Sequence, residues 1–384
     1  MRPTSTAILC AAALVAGCSN GSSFFAFGGP LFDETATRED RLALDFGDAV
    51  AVAVDSSFGD IDVVGTDTES PRLVARVAAS GRTRVEAEEV LARAFVEVRR
   101  DGDTLVVGLV CDPLVLEAPL GRQELVALAD FELWIPAGAD VVATTGSGTI
   151  RATGELGAVD ADTRYGDVEV AGAGGDVHAR SGSGDVAGAD LVGGAVVLES
   201  DYGDVTLAGV RGDSVRLRSS SGSLALVGGA STGYDLSTDY GDVEVRDASG
   251  ALLARTASGS VRVDDFTGPV DAESRYGDVE VDALVGDLRA VTASGDVTVV
   301  ARAGSLVESP WELASSYGDV ELVAPADLAC VLDASTGYGE IACEFDLLVN
   351  AGERDEDRLR GTIGAGGPAL VMTSSSGDVE LRRR

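Results

Sequence analysis

The chain contains no lysine. All 29 of its basic residues are arginine, set against 64 Asp and Glu, and the formal net charge is −35. Such a surface repels nucleic acid and anionic lipid headgroups, so no nucleic-acid partner is expected. Histidine is nearly absent too. His178 alone occurs, within Asp176-Val177-His178-Ala179-Arg180, where alternation with Val177 turns it toward solvent or a turn. Aromatic residues make up 5% of the chain, which leaves few bulky side chains for a core. No Gly-x-Ser-x-Gly elbow, phosphate loop or zinc spacing occurs. No catalytic, cofactor-binding or metal-ligating residue is assigned, and no cofactor is expected. Repeated acidic turns allow divalent-cation binding as an alternative to plain solubility, but the Gly-Gly-x-Gly-x-Asp nonapeptide of calcium β-rolls is missing.

What is abundant is repetition. A phrase ending in Gly-Asp-Val recurs, preceded in turn by Tyr and by Ser. Tyr copies begin at Tyr165, Tyr202, Tyr240, Tyr276 and Tyr317; Ser copies lie between them at Ser183, Ser221, Ser258 and Ser294. The repeat glycines step by 18 or 19 residues from Gly148 to Gly295, with looser copies at Gly318, Gly339 and Gly377. On either side, apolar and polar residues alternate, as in Val279-Glu280-Val281 and Leu288-x-Ala290-x-Thr292. Period-two alternation means half-buried strands, and Gly, Ser and Asp supply the turns. Two strands and two turns per unit, stacked many times, make an all-β parallel β-helix or β-solenoid.

The Tyr/Ser alternation also allows a doubled coil. The outward residue two places after the Asp decides between them. In Tyr units it is Glu169, Thr206, Glu244, Glu280 and Glu321; in Ser units it is Ala187, Ala225, Arg262 and Thr298. A coil of 18–19 residues places Arg262 between Glu244 and Glu280, whereas a doubled coil stacks Glu on Glu. Opposite charges across a ladder stabilise it and like charges do not, so the short coil is expected. Tyr then alternates with Ser along one edge, either as turn packing or as a carbohydrate-stacking strip.

Residues 1–17 read as a lipoprotein signal: Arg2, an apolar run from Ala7 to Ala16 too short to span a bilayer, then Leu14-Val15-Ala16-Gly17-Cys18. That last phrase resembles a lipobox, which makes Cys18 the lipidated residue and residues 18–40 a tether. Ser19 after the cysteine resembles an outer-membrane sorting signal. A membrane partner through the lipid anchor and a cell-envelope location follow as expectations. Two acyl chains give the stable anchoring that one does not. Cys111, Cys330 and Cys343 remain. Strand parity points Cys330 and Cys343 inward on the strands flanking one turn, as either a cross-core disulfide or two buried thiols. Cys111 is expected to be buried without a partner.

Residues 41–138 read as a small α+β cap. Phe58-Gly59-Asp60-Ile61 is an early copy of the repeat phrase. Thr83-x-x-Glu86 has the form of a helix capping box, followed by Ala87, Val90, Leu91 and Ala94 on one face. Asp101-Gly102 suits a tight hairpin turn. Residues 139–384 are assigned to the solenoid, with an insertion loop near 344–367 and Arg382 to Arg384 shielding the far end.

The run Phe131-Glu132-Leu133-Trp134-Ile135-Pro136-Ala137-Gly138, then Thr144-Thr145-Gly146-Ser147-Gly148-Thr149-Ile150 and the Ser-Gly-Asp-Val units, resembles the bacterial DUF4097-type proteins, provisionally named adhesins. These are similar to the DUF2807 head-GIN auto-transporter adhesins. The resemblance covers about residues 46–384 and implies an extracytoplasmic β-helical fold with no catalytic residues to carry over. The expectation is a lipid-anchored, non-enzymatic envelope protein that binds envelope polysaccharide or surface proteins, in an oligomeric state the sequence leaves open. The alternatives are a periplasmic scaffold or accessory factor, or a polysaccharide lyase using an arginine base.

Overall fold

The computed structural model describes residues 34–118, 121–302, 310–349, 354–355 and 357–384. The segment read as a signal, Cys18, and residues 18–33 of the segment read as a tether lie outside these. Alternation along the chain builds two columns of short strands. Strands entering the repeat glycine (Asp140–Ser147, Val159–Tyr165, Val177–Ser181, Ala195–Ser200) stack in parallel. Strands leaving it (Ile150–Gly154, Val168–Ala171, Val186–Val192) form the second parallel column. Midway, Val205–Ser219, Leu224–Tyr240 and Val243–Ser258 run straight through the return corner and belong to both columns. The chain is therefore a parallel β-solenoid, as the alternation implied. Inward-facing Val279, Val281, Leu288, Ala290 and Thr292 are buried, within an aliphatic core that runs through the stack.

The short coil holds. Glu244 pairs with Arg262, and Arg262 with Glu280, on successive rungs. Arg262 Nε donates to Glu280 at 2.8 Å.

Three ladders run along the glycine edge. First, adjacent turns approach so closely that a Cβ on Gly166, Gly184, Gly203 or Gly222 would lie 2.0–2.1 Å from the carbonyl oxygen of the glycine one coil before. Any side chain there is excluded by space, whatever the φ. Second, the residue three places before each repeat glycine is a buried Ser or Thr whose hydroxyl donates to that neighbouring glycine carbonyl. Thr163 reaches Gly148 at 3.0 Å, Ser181 reaches Gly166 at 2.7 Å, and Thr238 reaches Gly222 at 2.8 Å. Third, the Asp after the glycine accepts the backbone N–H of the next coil. Asp167 takes Asp185 N at 2.9 Å, Asp185 takes Asp204 N at 2.8 Å, and Asp296 takes Asp319 N at 2.8 Å.

The return corner has its own requirement. Gly154, Gly172, Asp190, Gly209, Gly228, Asp247, Asp265 and Ala283 all occupy positive φ, between +51° and +91°. Gly enters that region freely and Asp tolerates it, so the corner accepts both. Ala283 has neither advantage.

Rung order follows chain order only in the middle. At the carboxyl end, Ala369–Ser376 and Val379–Arg383 insert between two earlier coils. They pair with Trp311–Tyr317 and Val320–Ala324 on one side, and with Cys330–Thr336 and Ile341–Cys343 on the other. The expectation that Arg382 to Arg384 shield the far end is thus corrected: that strand is an internal rung, and the outermost coil is residues 330–343. At the amino end, the coil made by Ala51–Ser56 and Ile61–Gly65 lies between the rung at 140–154 and a terminal rung made from Thr104–Cys111 and Ala127–Ile135.

Antiparallel strands close both ends. Arg72–Gly81 covers Ala127–Ile135, Ala94–Asp101 covers Thr104–Cys111, and Arg358–Ile363 covers Cys330–Thr336. Covered edges do not recruit other strands. Two boundaries shift as a result. The region 41–138 contains a true solenoid coil besides the cap, and strand Arg358–Ile363 falls inside the segment read as a loop, 344–367. Of the segment read as a tether, 18–40, residues 34–40 belong to a strand, since Glu34–Ala43 pairs with Arg72–Gly81. Most of that strand is exposed, so it carries no apolar alternation to reveal it. The helix Arg84–Ala92 starts as expected, with Thr83 Oγ1 accepting from Glu86 N at 3.2 Å and Glu86 reaching back to Arg82 N at 2.9 Å.

Gly222→Ala is expected to cost on the order of 4 kcal/mol, because backbone must move. Gly102→Ala, at a φ of +65° with no atom within 4 Å of the new Cβ, should cost only about 1 kcal/mol. Equal losses in denaturant unfolding would refute the close-approach argument. Thr238→Val should cost about 1–3 kcal/mol by stranding the Gly222 carbonyl; hydrogen exchange at the flanking rungs reads it.

Candidate functional site

The row at the glycine edge is the most distinctive surface. Tyr202, Tyr240, Tyr276 and Tyr317 are 61–71% exposed, and Tyr338 is 84% exposed. These values overturn turn packing as the account of the tyrosine column. Ser and Tyr alternate rung by rung: Ser147 pairs with Tyr165, Tyr240 with Ser258, Tyr276 with Ser294, and Ser294 with Tyr317. The seventh tyrosine, Tyr234, sits apart in the core, edge-on to Phe266 at 6.3 Å. Its hydroxyl has no partner, and burial pushes it up to about 12.

Beside the tyrosines runs the carboxylate ladder. One oxygen of each of these aspartates is committed to the next coil, which gives the acidic turns a structural task. Among the described residues, no group of three or more His, Cys, Asp or Glu converges as a metal-ligand set. On the strand faces, arginines bridge rungs. Arg151 meets Asp62 at 3.1 Å and Glu169 at 2.8 Å; Arg289 meets Asp271 at 2.8 Å and Glu312 at 3.4 Å. Hydrogen bonds donated to Glu169, Glu280 and Asp271 hold Arg151, Arg262 and Arg289, respectively, above the usual guanidinium range. His178 is exposed, as its alternation implied, and its Nδ1 lies 3.2 Å from Asp160 one rung away.

Cys330 and Cys343 flank the Gly339 turn as unbonded thiols in this structure. Burial pushes Cys330 up to about 11, helped by the neighbouring Cys343, and raises Cys343 as well. Cys111 is a free thiol, half-buried where full burial was expected, and its sulfur accepts Ala127 N at 3.4 Å. A shallow depression of about 340 Å³ at the return edge is lined by Gly212, Ala230, Ser231, Thr232, Ser249 and Gly250, none of them titratable. The buried Ser/Thr column is the feature that sequence reading missed. Its signal was a hydroxyl residue three places before every repeat glycine.

Together these ladders define a solenoid whose polar groups are spent largely on its own stacking. The chain belongs to the Toastrack DUF4097 family, whose model it matches over residues 135–268 and again over 266–382. The two matches meet within one unbroken ladder, since Val261 pairs with Val279 across the junction. A comparison with curated proteins finds no match. Among solved structures, the chain is similar to a Clostridium sporogenes protein provisionally described as a cell adhesion protein (8% identity, 91% of this chain and 100% of that one, TM-score 0.18). It is also similar to a Parabacteroides distasonis protein provisionally described as lipid binding (11%, 90% and 97%, TM-score 0.30). A third is a Parabacteroides merdae protein provisionally described as an adhesin (12%, 76% and 97%, TM-score 0.30).

Asp333 ties the outermost coil to its covering strand. Hydrogen bonds from Arg360 and Arg358 hold its carboxyl down at about 2. A depressed carboxyl contributes stability above its unfolded value and loses it as pH falls through the folded one. Asp333→Asn should therefore speed hydrogen exchange in 358–363 at neutral pH, and approach the parent only as pH falls below about 2. An unchanged difference at both pH values would rule out this linkage.

Proposed function

We propose that the protein is a lipid-anchored, non-enzymatic envelope protein, held by Cys18 in the outer membrane, that presents an adhesin-like binding surface to envelope polysaccharide or surface proteins. The observation that carries this reading is the commitment of polar groups rung after rung. Hydroxyls, carboxylates and arginines that would serve a catalytic centre are instead tied to the neighbouring coil. Family membership and the Leu14-Val15-Ala16-Gly17-Cys18 phrase support the address. Arg151, Arg262 and Arg289 are tied to carboxylates on neighbouring rungs, which weighs against their serving as the base of a lyase.

The runner-up is a periplasmic scaffold with the same anchor. Metabolic labelling with palmitate should mark the parent and not Cys18→Ser. Protease treatment of intact cells should remove the parent protein. Survival in intact cells, with loss after disruption, would favour the scaffold; labelling of Cys18→Ser would remove the anchor from the reading.

A further inference from the structure

Six of the seven tyrosines stand in the glycine-edge row. Their alternation with serine is kept in space even where chain order breaks. By sequence, Tyr338 follows Tyr317 and Ser376 comes last. The inserted terminal coil places Ser376 beside Tyr317, and Gly339 against Gly377, so the row reads Tyr317, Ser376, Tyr338. At the other end Phe58 precedes Gly59, which lies against Gly148 of the Ser147 rung, so an aromatic again stands next to a serine. Alternation that survives reordering at the carboxyl end is a property of the surface, and the chain's repeat alone does not produce it.

Rungs lie about 4.8 Å apart, so successive rings recur roughly every 9.6 Å. That is about the length of two hexoses in an extended β-1,4-linked chain, which presents the same sugar face at every second unit. The serine between rings leaves a notch for the intervening sugar. Among the described residues, the hydroxyls of Tyr202, Tyr240, Tyr276 and Tyr317 are not engaged by the protein. Tyrosine gives rigid, amphipathic contact area at low entropic cost. The parallel aspartate row offers its second oxygens to sugar hydroxyls and repels acidic polymers. We propose that the tyrosine row binds an extended, uncharged β-1,4-linked glycan, with alternate sugars stacked on successive tyrosines. The proposal rests on the surface-binding reading above and names its ligand class.

The test uses the full chain in detergent, with affinity electrophoresis in hydroxyethylcellulose and in alginate. The variant is Tyr202→Ser/Tyr240→Ser/Tyr276→Ser/Tyr317→Ser. Serine fills the same position in the neighbouring coils, so the stack should survive, as thermal unfolding checks. The parent should be retarded by hydroxyethylcellulose and not by alginate, and the variant should bind at least about tenfold more weakly. No retardation of the parent, equal retardation of the variant, or equal retardation by alginate would overturn the proposal. Cell adhesion to a cellulose surface separates the two readings. If the variant adheres normally and a deletion strain does not, the tyrosine row falls while surface binding stands. If the deletion strain also adheres normally and the protein survives protease treatment of intact cells, the surface-binding reading falls with it.

Discussion

The contact between one turn glycine and the carbonyl of the glycine beneath it governs this molecule. Strand ladders alone would let neighbouring coils sit at their usual spacing anywhere along the stack. At the turn they must also bring backbone against backbone with no Cβ between. That approach turns the glycine carbonyl toward the core, where a buried hydroxyl three residues upstream in the next coil can reach it. It also sets the following amide where the aspartate one coil away can accept it. Glycine, hydroxyl and carboxylate are therefore one device, and the period is held at this edge. Variation is displaced to the return corner, where Gly154 and Asp190 serve equally.

The absence of lysine finds its physical sense here. A guanidinium carries several donors in a rigid fork, while an ammonium is a compact point charge. Arg151 and Arg289 each touch carboxylates on the rungs above and below. Only a forked group makes both contacts with directed hydrogen bonds. On a surface this acidic, such clamps offset repulsion between stacked carboxylates, though each exposed pair contributes little alone.

Much of this was legible. Valine alternation revealed the strands, and the placement of Arg262 between two glutamates distinguished the short coil from the doubled one. Thr83 and Glu86 marked the helix start. The buried hydroxyl column was visible but blended into a background of serines that turns ordinarily contain. Ala283 at positive φ has no sequence signature. Rung order at the ends was hidden for a deeper reason: a period reports spacing along the chain, and adjacency in space is a separate matter. The 38 residues from Gly339 to Gly377 fit two periods, yet these glycines touch. Exposure of the tyrosines was likewise unreadable, because parity is ambiguous where a strand bends into a turn.

The inserted terminal coil has a consequence for how the molecule is completed. A solenoid formed as its chain emerges could lay down each turn on the last, amino end first. Here the seat beneath residues 330–343 belongs to a later segment, 369–383. The turn at 330–343 must wait unseated until residues 369–383 have followed it. Closure of the outermost coil thus acts as a latch that a later segment of the chain fastens.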